Sequence, residues 1–221
     1  DWDATEIPVL RDGLVNGKLR HLVTMANRNG FYYVLDRATI EFLSGTPYME
    51  QGWAEGLDAR GRPIVRPNIE PTTGGTNLVP NLHGGTNWFS PSYSPSAGLF
   101  YVAARQMGSR YFKYPATYTP GRYFLGGGES EFGGDSAQGA VKALDPVSGK
   151  ERWRFPLFSP PWAGLLSTAG GLVFGGTNEG QFFALDARSG APLWHFQTGA
   201  MINANPVSFA IGTRQYVAIA S

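Results

Sequence analysis

Short apolar segments that alternate with polar positions recur along the whole chain, and helical periodicity is nearly absent. HLVTMA (21–26) and FYYVL (31–35) have the length and pattern of strands. They flank Asn27-Arg28-Asn29-Gly30, and an Asn-Gly pair between two apolar segments predicts a β-hairpin. Four short segments between residues 164 and 196 predict one four-stranded unit, and NPVSFAI and QYVAIA predict the start of the next.

Two segments repeat each other without gaps at an offset of 41 residues: AVKALDPVSGKERWRF (140–155) and QFFALDARSGAPLWHF (181–196). Each has Ala-Leu-Asp, then Ser-Gly, then Trp. The Asp side chain accepts backbone N–H groups in a tight turn and the Gly supplies a positive φ, so each segment predicts strand, turn and strand. Trp153 and Trp194 are then expected to pack against a neighbouring unit.

A third copy at 31–45 is less regular, because Ile40 and Ser44 stand where the other copies have Gly and Trp. A period near 40 residues with strand-like segments is typical of a propeller blade. The sequence therefore predicts an all-β fold, a partial β-propeller. Two stretches, about 45–92 and 106–138, are rich in Gly, Pro, Tyr and Asn, and we expect them to be irregular loops.

The composition excludes several classes of partner and site. The 221 residues carry a net charge of +1 without a basic run, which argues against a nucleic-acid partner. The absence of Cys excludes thiolate metal sites, thiol nucleophiles and disulfides within this stretch. No apolar run approaches the ~18 residues of a membrane span. The chain starts at Asp1-Trp2-Asp3 and stops within an apolar alternation, so we expect 1–221 to be one propeller piece cut at both ends.

Five segments, in this order, resemble the C-terminal part of the quinoprotein alcohol dehydrogenases, the methanol and ethanol dehydrogenase family that uses pyrroloquinoline quinone (PQQ). They are DWDATEIPVL, NRNGFYYVLDR, GGTNWFSPSYSPSAGLFYV, PPWAGLLSTAGGLVFGGTNEGQFFALDARSG and QTGAMINANPVSF. The repeat of Asp, Gly and Trp resembles the tryptophan-docking motif of that family.

The resemblance implies an eight-bladed propeller, of which this chain supplies about half, with PQQ near the axis above Ca²⁺ or a lanthanide ion. It also implies a periplasmic enzyme that oxidises a small primary alcohol to an aldehyde and passes the electrons to a cytochrome c. In the family the catalytic carboxylate and the metal ligands lie upstream of the segment matching DWDATEIPVL. This stretch alone is therefore expected to hold no metal and to be inactive.

Four residues are carried over by the resemblance as cofactor-binding. Arg28 matches the Lys or Arg that contacts the quinone oxygens, where a guanidinium polarises an oxygen that gains negative charge. Asn87 and Trp88 match the Asn-Trp pair at the cofactor, and Trp162 matches a Trp near its ring system. The alternatives stay open: an exposed turn arginine for Arg28, and plain packing for the other three.

A non-catalytic propeller is the alternative function, similar to the scaffolds of outer-membrane assembly that bind proteins through blade loops. A scaffold has no need of Arg28 on a central hairpin together with Asn87-Trp88, so we favour the enzyme. Asn203 and Asn205 are weaker candidates near the cofactor, where turn roles compete. The three histidines show no metal-ligand spacing and are expected in core or surface positions: His21, His83 and His195.

Overall fold

The computed structural model describes residues 2–132 and 137–221, and their regular elements are β-strands. In chain order these are β1 Val9–Val15, β2 Lys18–Ala26, β3 Phe31–Asp36, β4 Phe42–Pro47, β5 Ala54–Leu57, β6 Pro63–Val65, β7 Thr76–Leu78, β8 Ser92–Ser94, β9 Leu99–Gln106, β10 Gly108–Lys113, β11 Gly127–Phe132, β12 Gln138–Leu144, β13 Glu151–Leu157, β14 Leu166–Ser167, β15 Leu172–Gly176, β16 Gln181–Asp186, β17 Pro192–Gln197, β18 Val207–Ile211 and β19 Arg214–Ala218. Across these two ranges, no helix has the length and apolar character that a membrane crossing requires.

Three antiparallel sheets of four strands form the frame of the described residues. Their strand orders are β1-β2-β3-β4, β8-β9-β12-β13 and β14-β15-β16-β17, and we call them the first, second and third sheets. The third sheet is the four-stranded unit predicted between residues 164 and 196, and β18 pairs with β19 as the start of the next unit. The predicted all-β fold with blade-like sheets is confirmed.

The hairpin predicted at Asn27–Gly30 joins β2 to β3. Gly30 has a φ of 90° and donates its N–H to the carbonyl of Asn27 at 2.9 Å. The side-chain oxygens of Asn27 and Asn29 accept the backbone N–H groups of Asn29 and Phe31, each at 3.0 Å. These local bonds fix the turn, and they hold Arg28 at its tip.

The three repeat copies form the same turn. Asp36, Asp145 and Asp186 each accept the backbone N–H groups of the residues two and three positions ahead, at 2.8–3.2 Å. Burial opposes ionisation of the Asp145 carboxyl, but hydrogen bonds from Ser148 and Arg152 outweigh it and lower the pKa of Asp145 to about 2. The carboxylate form is therefore the one that closes the turn.

The fourth residue after each Asp has a left-handed backbone. Its φ is 61° at Ile40, 69° at Gly149 and 72° at Gly190. Glycine adopts this conformation without a steric penalty, whereas a β-branched residue does not. The irregular copy therefore keeps the shape of the turn although its sequence has lost the glycine.

The two stretches expected to be irregular loops contain strands, so that prediction is wrong in part. Stretch 45–92 holds the β5–β6 hairpin and β7, and stretch 106–138 holds β10 and β11. Strand β10 pairs with both β7 and β11 in a three-stranded sheet. In the chain, β10 and β11 lie between β9 and β12, whereas β7 precedes β8. Backbone groups make these pairings, and composition does not reveal them. Residues 133–136 of the second stretch lie outside the described residues.

The central strand β9 is buried on both faces, which fits its continuous apolar sequence LFYVAA. Phe100 and Val102 pack in the core shared with the first sheet. Tyr101 and Ala103 point the other way and pack in the core shared with the third sheet. The second sheet is thus held between the other two.

The docking role predicted for Trp153 is confirmed. Its Nε1 donates to the carbonyl of Ala187 at 3.2 Å, and its ring covers Gly190 in the turn of the third sheet. Trp194 is 49% exposed and contacts Phe182 and Phe196 of its own sheet. Its packing against a further unit stays a prediction.

Candidate functional site

Residues 81–90, which we call the central segment, connect the three sheets. The N–H of Gly85 donates to the carbonyl of Arg28 in the first sheet at 2.9 Å. The carbonyls of Gly85 and Ser90 accept N–H groups from Arg105 of the second sheet and Leu165 beside the third, at 2.8 and 2.9 Å. This one segment is therefore bonded to parts of all three sheets that are distant from one another in the sequence.

Arg28 reaches the central segment with its side chain as well. Its guanidinium donates to the carbonyl of Leu82 and, at 3.3 Å, to the carbonyl of Asp3. Its Nε is buried and has no partner among residues 2–132 and 137–221. Two of its N–H groups thus fix the side chain, and within the described residues Arg28 forms no salt bridge.

Glu6 is a neighbour of Arg28 that sequence reasoning missed. It is buried, and its Oε1 accepts the backbone N–H of Arg28 at 2.7 Å. Burial raises the pKa of Glu6, although hydrogen bonds and the charge of Arg28 act in the opposite direction. Its second oxygen has no partner within the described part of the chain. No spacing or motif marks Glu6, because its contact depends on the path of the chain ahead of β1.

Asn87 and Trp88 have different environments although they are adjacent. Asn87 is buried, and its amide donates to the carbonyl of His83 at 2.9 Å while its oxygen accepts the N–H of Trp88 at 2.8 Å. Trp88 is 47% exposed and packs edge-on against Phe89. Asn87 therefore shapes the central segment, and Trp88 presents its indole to solvent.

Trp162 lies between a cation and an imidazole. The guanidinium carbon of Arg105 stands 3.9 Å from the centre of the Trp162 ring, a stacked cation–π contact. The ring of His83 meets the same indole edge-on at 5.2 Å. Since His83 belongs to the central segment, Trp162 joins the group that Arg28 and Trp88 also reach.

Arg105 was not predicted, although a charge within the apolar strand LFYVAARQ was a usable signal. It is 2% exposed and donates to the carbonyl of Pro161 at 2.8 Å. Burial lowers the pKa of Arg105 to about 10, against the raising effect of Glu131. Arg105 thus stays a cation at neutral pH and holds both the 160–162 segment and the face of Trp162.

The weaker candidates from the sequence, Asn203, Asn205 and the histidines, bond other protein groups or lie at the surface. Asn205 accepts the N–H of Ser90 at 3.0 Å and so joins the last hairpin to the central segment, and Asn203 is exposed. His21 bonds Asp12 at the surface, at 2.8 Å. No group of three or more His, Cys, Asp or Glu side chains that suits a metal ion occurs in 2–132 or 137–221.

Comparisons with known proteins give a family model over one part of the chain and relatives over nearly all of it. Residues 137–210 match the family model described as outer membrane protein assembly factor BamB. Over 214 residues the chain is 38% identical to quinoprotein alcohol dehydrogenase PedH of Pseudomonas putida, covering 93% of this chain and 36% of that protein. It is 34% identical over 229 residues to the lanthanide-dependent methanol dehydrogenase of Methylacidiphilum fumariolicum, covering 100% of this chain and 38% of that protein.

Solved structures agree with these sequence matches. A europium-containing methanol dehydrogenase superposes with a TM-score of 0.91 at 34% identity, over 99% of this chain and 40% of that one. The quinohemoprotein alcohol dehydrogenase of Comamonas testosteroni also gives a TM-score of 0.91, at 31% identity, over 99% of this chain and 34% of that one. The chain therefore spans about a third of the length of the proteins it matches.

Proposed function

We propose that this chain, a homologue of quinoprotein alcohol and methanol dehydrogenases over about a third of their length, supplies one side of the PQQ pocket of such an enzyme. The proposed reaction is oxidation of a primary alcohol to an aldehyde, with the electrons passed to a cytochrome c in the periplasm. The catalytic base and the ligands of Ca²⁺ or a lanthanide are assigned to positions outside residues 1–221, as the resemblance implies.

The convergence of Arg28, Trp88 and Trp162 on the central segment is the observation that carries this proposal. The three residues lie up to 134 positions apart, yet Arg28 bonds Leu82, Trp88 belongs to the segment, and Trp162 packs on His83. A scaffold that binds proteins through blade loops gains nothing from fixing one cation and two indoles at the same segment.

The residues fit a planar anionic quinone. Arg28 has a buried Nε without a partner in the described residues. The other two nitrogens of its guanidinium donate to the carbonyl oxygens of Asp3 and Leu82. The exposed indole of Trp88 offers a flat face and an N–H donor. Asn87 fits less directly because its amide is engaged within the central segment. We therefore assign Asn87 a positioning role that sets the orientation of Trp88.

PQQ held by Arg28, Trp88 and Trp162 would supply the oxidant for the alcohol, and its quinone oxygens would carry negative charge. Arg28 is suited to stabilise that charge, because the carbonyls of Asp3 and Leu82 hold its guanidinium in place before the reaction. Trp162 is held from behind by Arg105, so its ring provides a rigid wall. Arg28 is thus the residue of this chain assigned to catalysis, and the two tryptophans are assigned to binding.

Titration of PQQ into the native full-length protein, with Ca²⁺ or La³⁺ present, tests the proposal. Arg28→Ala is expected to weaken PQQ binding ~10- to 100-fold, the range for loss of a charge-assisted hydrogen bond. Trp88→Ala is expected to weaken it ~3- to 10-fold through loss of the aromatic face. Arg28→Lys keeps the charge without the fork and should recover part of the affinity.

Tyr123→Ala is the matched control, because Tyr123 is 99% exposed and touches none of these groups. Melting temperatures measured beside each titration separate loss of binding from loss of folding. PQQ affinities that are equal in the wild type and in folded Arg28 and Trp88 variants would contradict the proposal. Failure of the native protein to bind PQQ at all would leave the protein-binding scaffold as the better function.

A further inference from the structure

The turn that carries Arg28 satisfies three of its four consecutive N–H groups with its own atoms. Asn29 and Phe31 donate to side-chain oxygens of the turn, each at 3.0 Å, and Gly30 donates to a carbonyl of the turn at 2.9 Å. The fourth N–H, that of Arg28, bonds Glu6 instead, at 2.7 Å. A side chain from outside the hairpin therefore completes the hydrogen bonding of its tip.

The corresponding hairpin of the third sheet forms without such a bond. Gly180 has a φ of 81° and donates its N–H to the carbonyl of Thr177 at 3.1 Å, so the turn is the same. Asn178 stands at the position of Arg28, and within 2–132 and 137–221 no carboxylate of another segment bonds its N–H. The contact from Glu6 is therefore a property of the Arg28 tip and not a requirement of the turn.

Segments outside the hairpin bond the backbone of Arg28 on both sides. Glu6 accepts its N–H, and the N–H of Gly85 donates to its carbonyl at 2.9 Å. Gly84 lies so close that a Cβ there would stand 2.7 Å from the same carbonyl oxygen. The start of the Arg28 side chain is thus fixed before its guanidinium makes any contact.

Glu6 is anchored by the chain ahead of β1. The indole of Trp2 packs on Trp53 with the ring centres 4.7 Å apart, and its Nε1 donates to the carbonyl of Asn81 in the central segment at 2.8 Å. Glu6, four residues later, is buried. Its position relative to the central segment is therefore set by a second, independent attachment.

Glu6 bonds Arg28 through the backbone and leaves the guanidinium to other partners. One carboxyl oxygen accepts the N–H, while the guanidinium donates to the carbonyls of Asp3 and Leu82. The second carboxyl oxygen is closed to solvent and has no partner in the described part of the chain. Burial also raises the pKa of Glu6, which favours its uncharged form. The contact thus uses one acceptor oxygen rather than a negative charge.

We propose that Glu6 is a positioning residue for Arg28, whose hydrogen bond to the Arg28 N–H sets where the guanidinium stands in the PQQ pocket. This assignment rests on the proposed function, because the action of Arg28 on the quinone belongs to that function. Displacing a reacting group by about 1 Å can cost ~100-fold in rate. Loss of this one bond is therefore expected to change binding and turnover together.

A double-mutant cycle in the native full-length protein loaded with PQQ tests the proposal. Glu6→Ala is expected to weaken PQQ binding and to lower kcat by ~10-fold each, with KM for ethanol within ~2-fold. Glu6→Gln keeps an acceptor oxygen and should stay within ~3-fold of the wild type in both. In an Arg28→Ala background, Glu6→Ala should add less than ~2-fold, because its effect passes through the missing guanidinium.

Asp58→Ala is the matched control. Asp58 also accepts backbone N–H groups in a hairpin, those of Arg60 and Arg62 at 2.8 and 2.9 Å, but within the described residues it bonds neither Arg28 nor the central segment. Glu6→Asp draws the carboxyl back by one methylene and should show a smaller loss in the same direction as Glu6→Ala. Melting temperatures identify any variant that does not fold, and Glu6→Asp then takes the place of Glu6→Ala.

Hydrogen exchange of the cofactor-free full-length protein gives a readout that needs no PQQ. The amide of Arg28 is expected to exchange at least ~5-fold faster in Glu6→Ala, while Asp58→Ala leaves it unchanged. If Arg28→Ala weakens PQQ binding but Glu6→Ala matches Asp58→Ala, adds its full effect to Arg28→Ala, or is no worse than Glu6→Gln, the positioning role alone is overturned. If PQQ does not bind while Glu6→Ala still speeds exchange at Arg28, the proposed function fails and Glu6 stands only as the residue that holds the tip.

Discussion

The turns at Asp145 and Asp186 have the same backbone, but the neighbouring sheets pack different side chains against them. At the Asp186 turn, Trp153 and Tyr101 of the second sheet both donate to the carbonyl of Ala187, at 3.2 and 2.8 Å. The ring of Trp153 also covers Gly190. We call this contact the tryptophan junction.

At the Asp145 turn the first sheet provides no Trp. Tyr32 and Arg11 donate instead to the carbonyl of Pro146, which corresponds to Ala187, at 3.1 and 2.6 Å. Ser44 stands at the repeat position of Trp153 and donates to the carbonyl of Val147 at 2.6 Å. We call this contact the tyrosine junction.

The comparison shows that the turn, rather than the Trp, is the constant part of the docking. Each junction has two donors on the carbonyl that follows the Asp, and an aromatic ring against the Gly: Trp153 covers Gly190, and Tyr32 covers Gly149. A different strand supplies the ring in each case. The absence of a Trp from the copy at 31–45 is therefore compatible with a packed interface.

The largest effect is expected from Trp153→Ala, which removes the ring and the Nε1 donor of the tryptophan junction. The expected loss of unfolding free energy is ~3 kcal/mol, the lower end of the range for large aromatic residues because Trp153 is half-buried. Trp153→Phe keeps a ring over Gly190 and should lose only ~1 kcal/mol, since Tyr101 still satisfies the carbonyl of Ala187. Urea unfolding of the variants measures both losses.

The next effect concerns the glycines beneath the rings. A Cβ at Gly190 would lie 2.5 Å from Trp153, and one at Gly149 would lie 2.8 Å from Tyr32. Gly190→Ala and Gly149→Ala combine this overlap with a left-handed backbone, so each is expected to cost ~2 kcal/mol. Gly171→Ala is the control, because its φ is 79° but no heavy atom lies within 4 Å of the added Cβ. Losses equal to that control would show that the rings do not need the glycines.

The sequence predicted the turns better than the junctions. The fixed spacing from Asp to Gly defines a local hydrogen-bond pattern, so Asp145 and Asp186 were recognisable from their own neighbours. The tyrosine junction joins Tyr32 to Pro146 across 114 positions, and no local spacing encodes such a contact. The same reason explains why the site was found only in part: Arg28 lies on a recognisable hairpin, whereas Glu6 and Arg105 act through distant segments.

Ile40→Gly tests the turn of the irregular copy, and unlike the other substitutions it should stabilise the protein. Ile40 has a φ of 61° and is 67% exposed, so its side chain contributes little packing and its backbone is strained. Relief of the left-handed penalty exceeds the added freedom of the unfolded chain, and the expected gain is ~1 kcal/mol. Ile40→Ala keeps the Cβ and should gain less. A melting temperature that falls in Ile40→Gly would contradict this account.

The smallest effect is expected at Ser44, the position that corresponds to Trp153. Ser44→Ala removes one half-buried hydrogen bond to the carbonyl of Val147, which is worth ~0.5 kcal/mol net. Tyr32 and Arg11 remain on the neighbouring carbonyl, and Thr46 still donates to the carbonyl of Ser148 at 2.7 Å. A loss near that of Trp153→Ala would mean that position 44 carries its junction in the way that Trp153 does. The expected sixfold difference in free energy instead places the strength of the tyrosine junction in Tyr32 and Arg11, neither of which is one of the shared positions of the repeat.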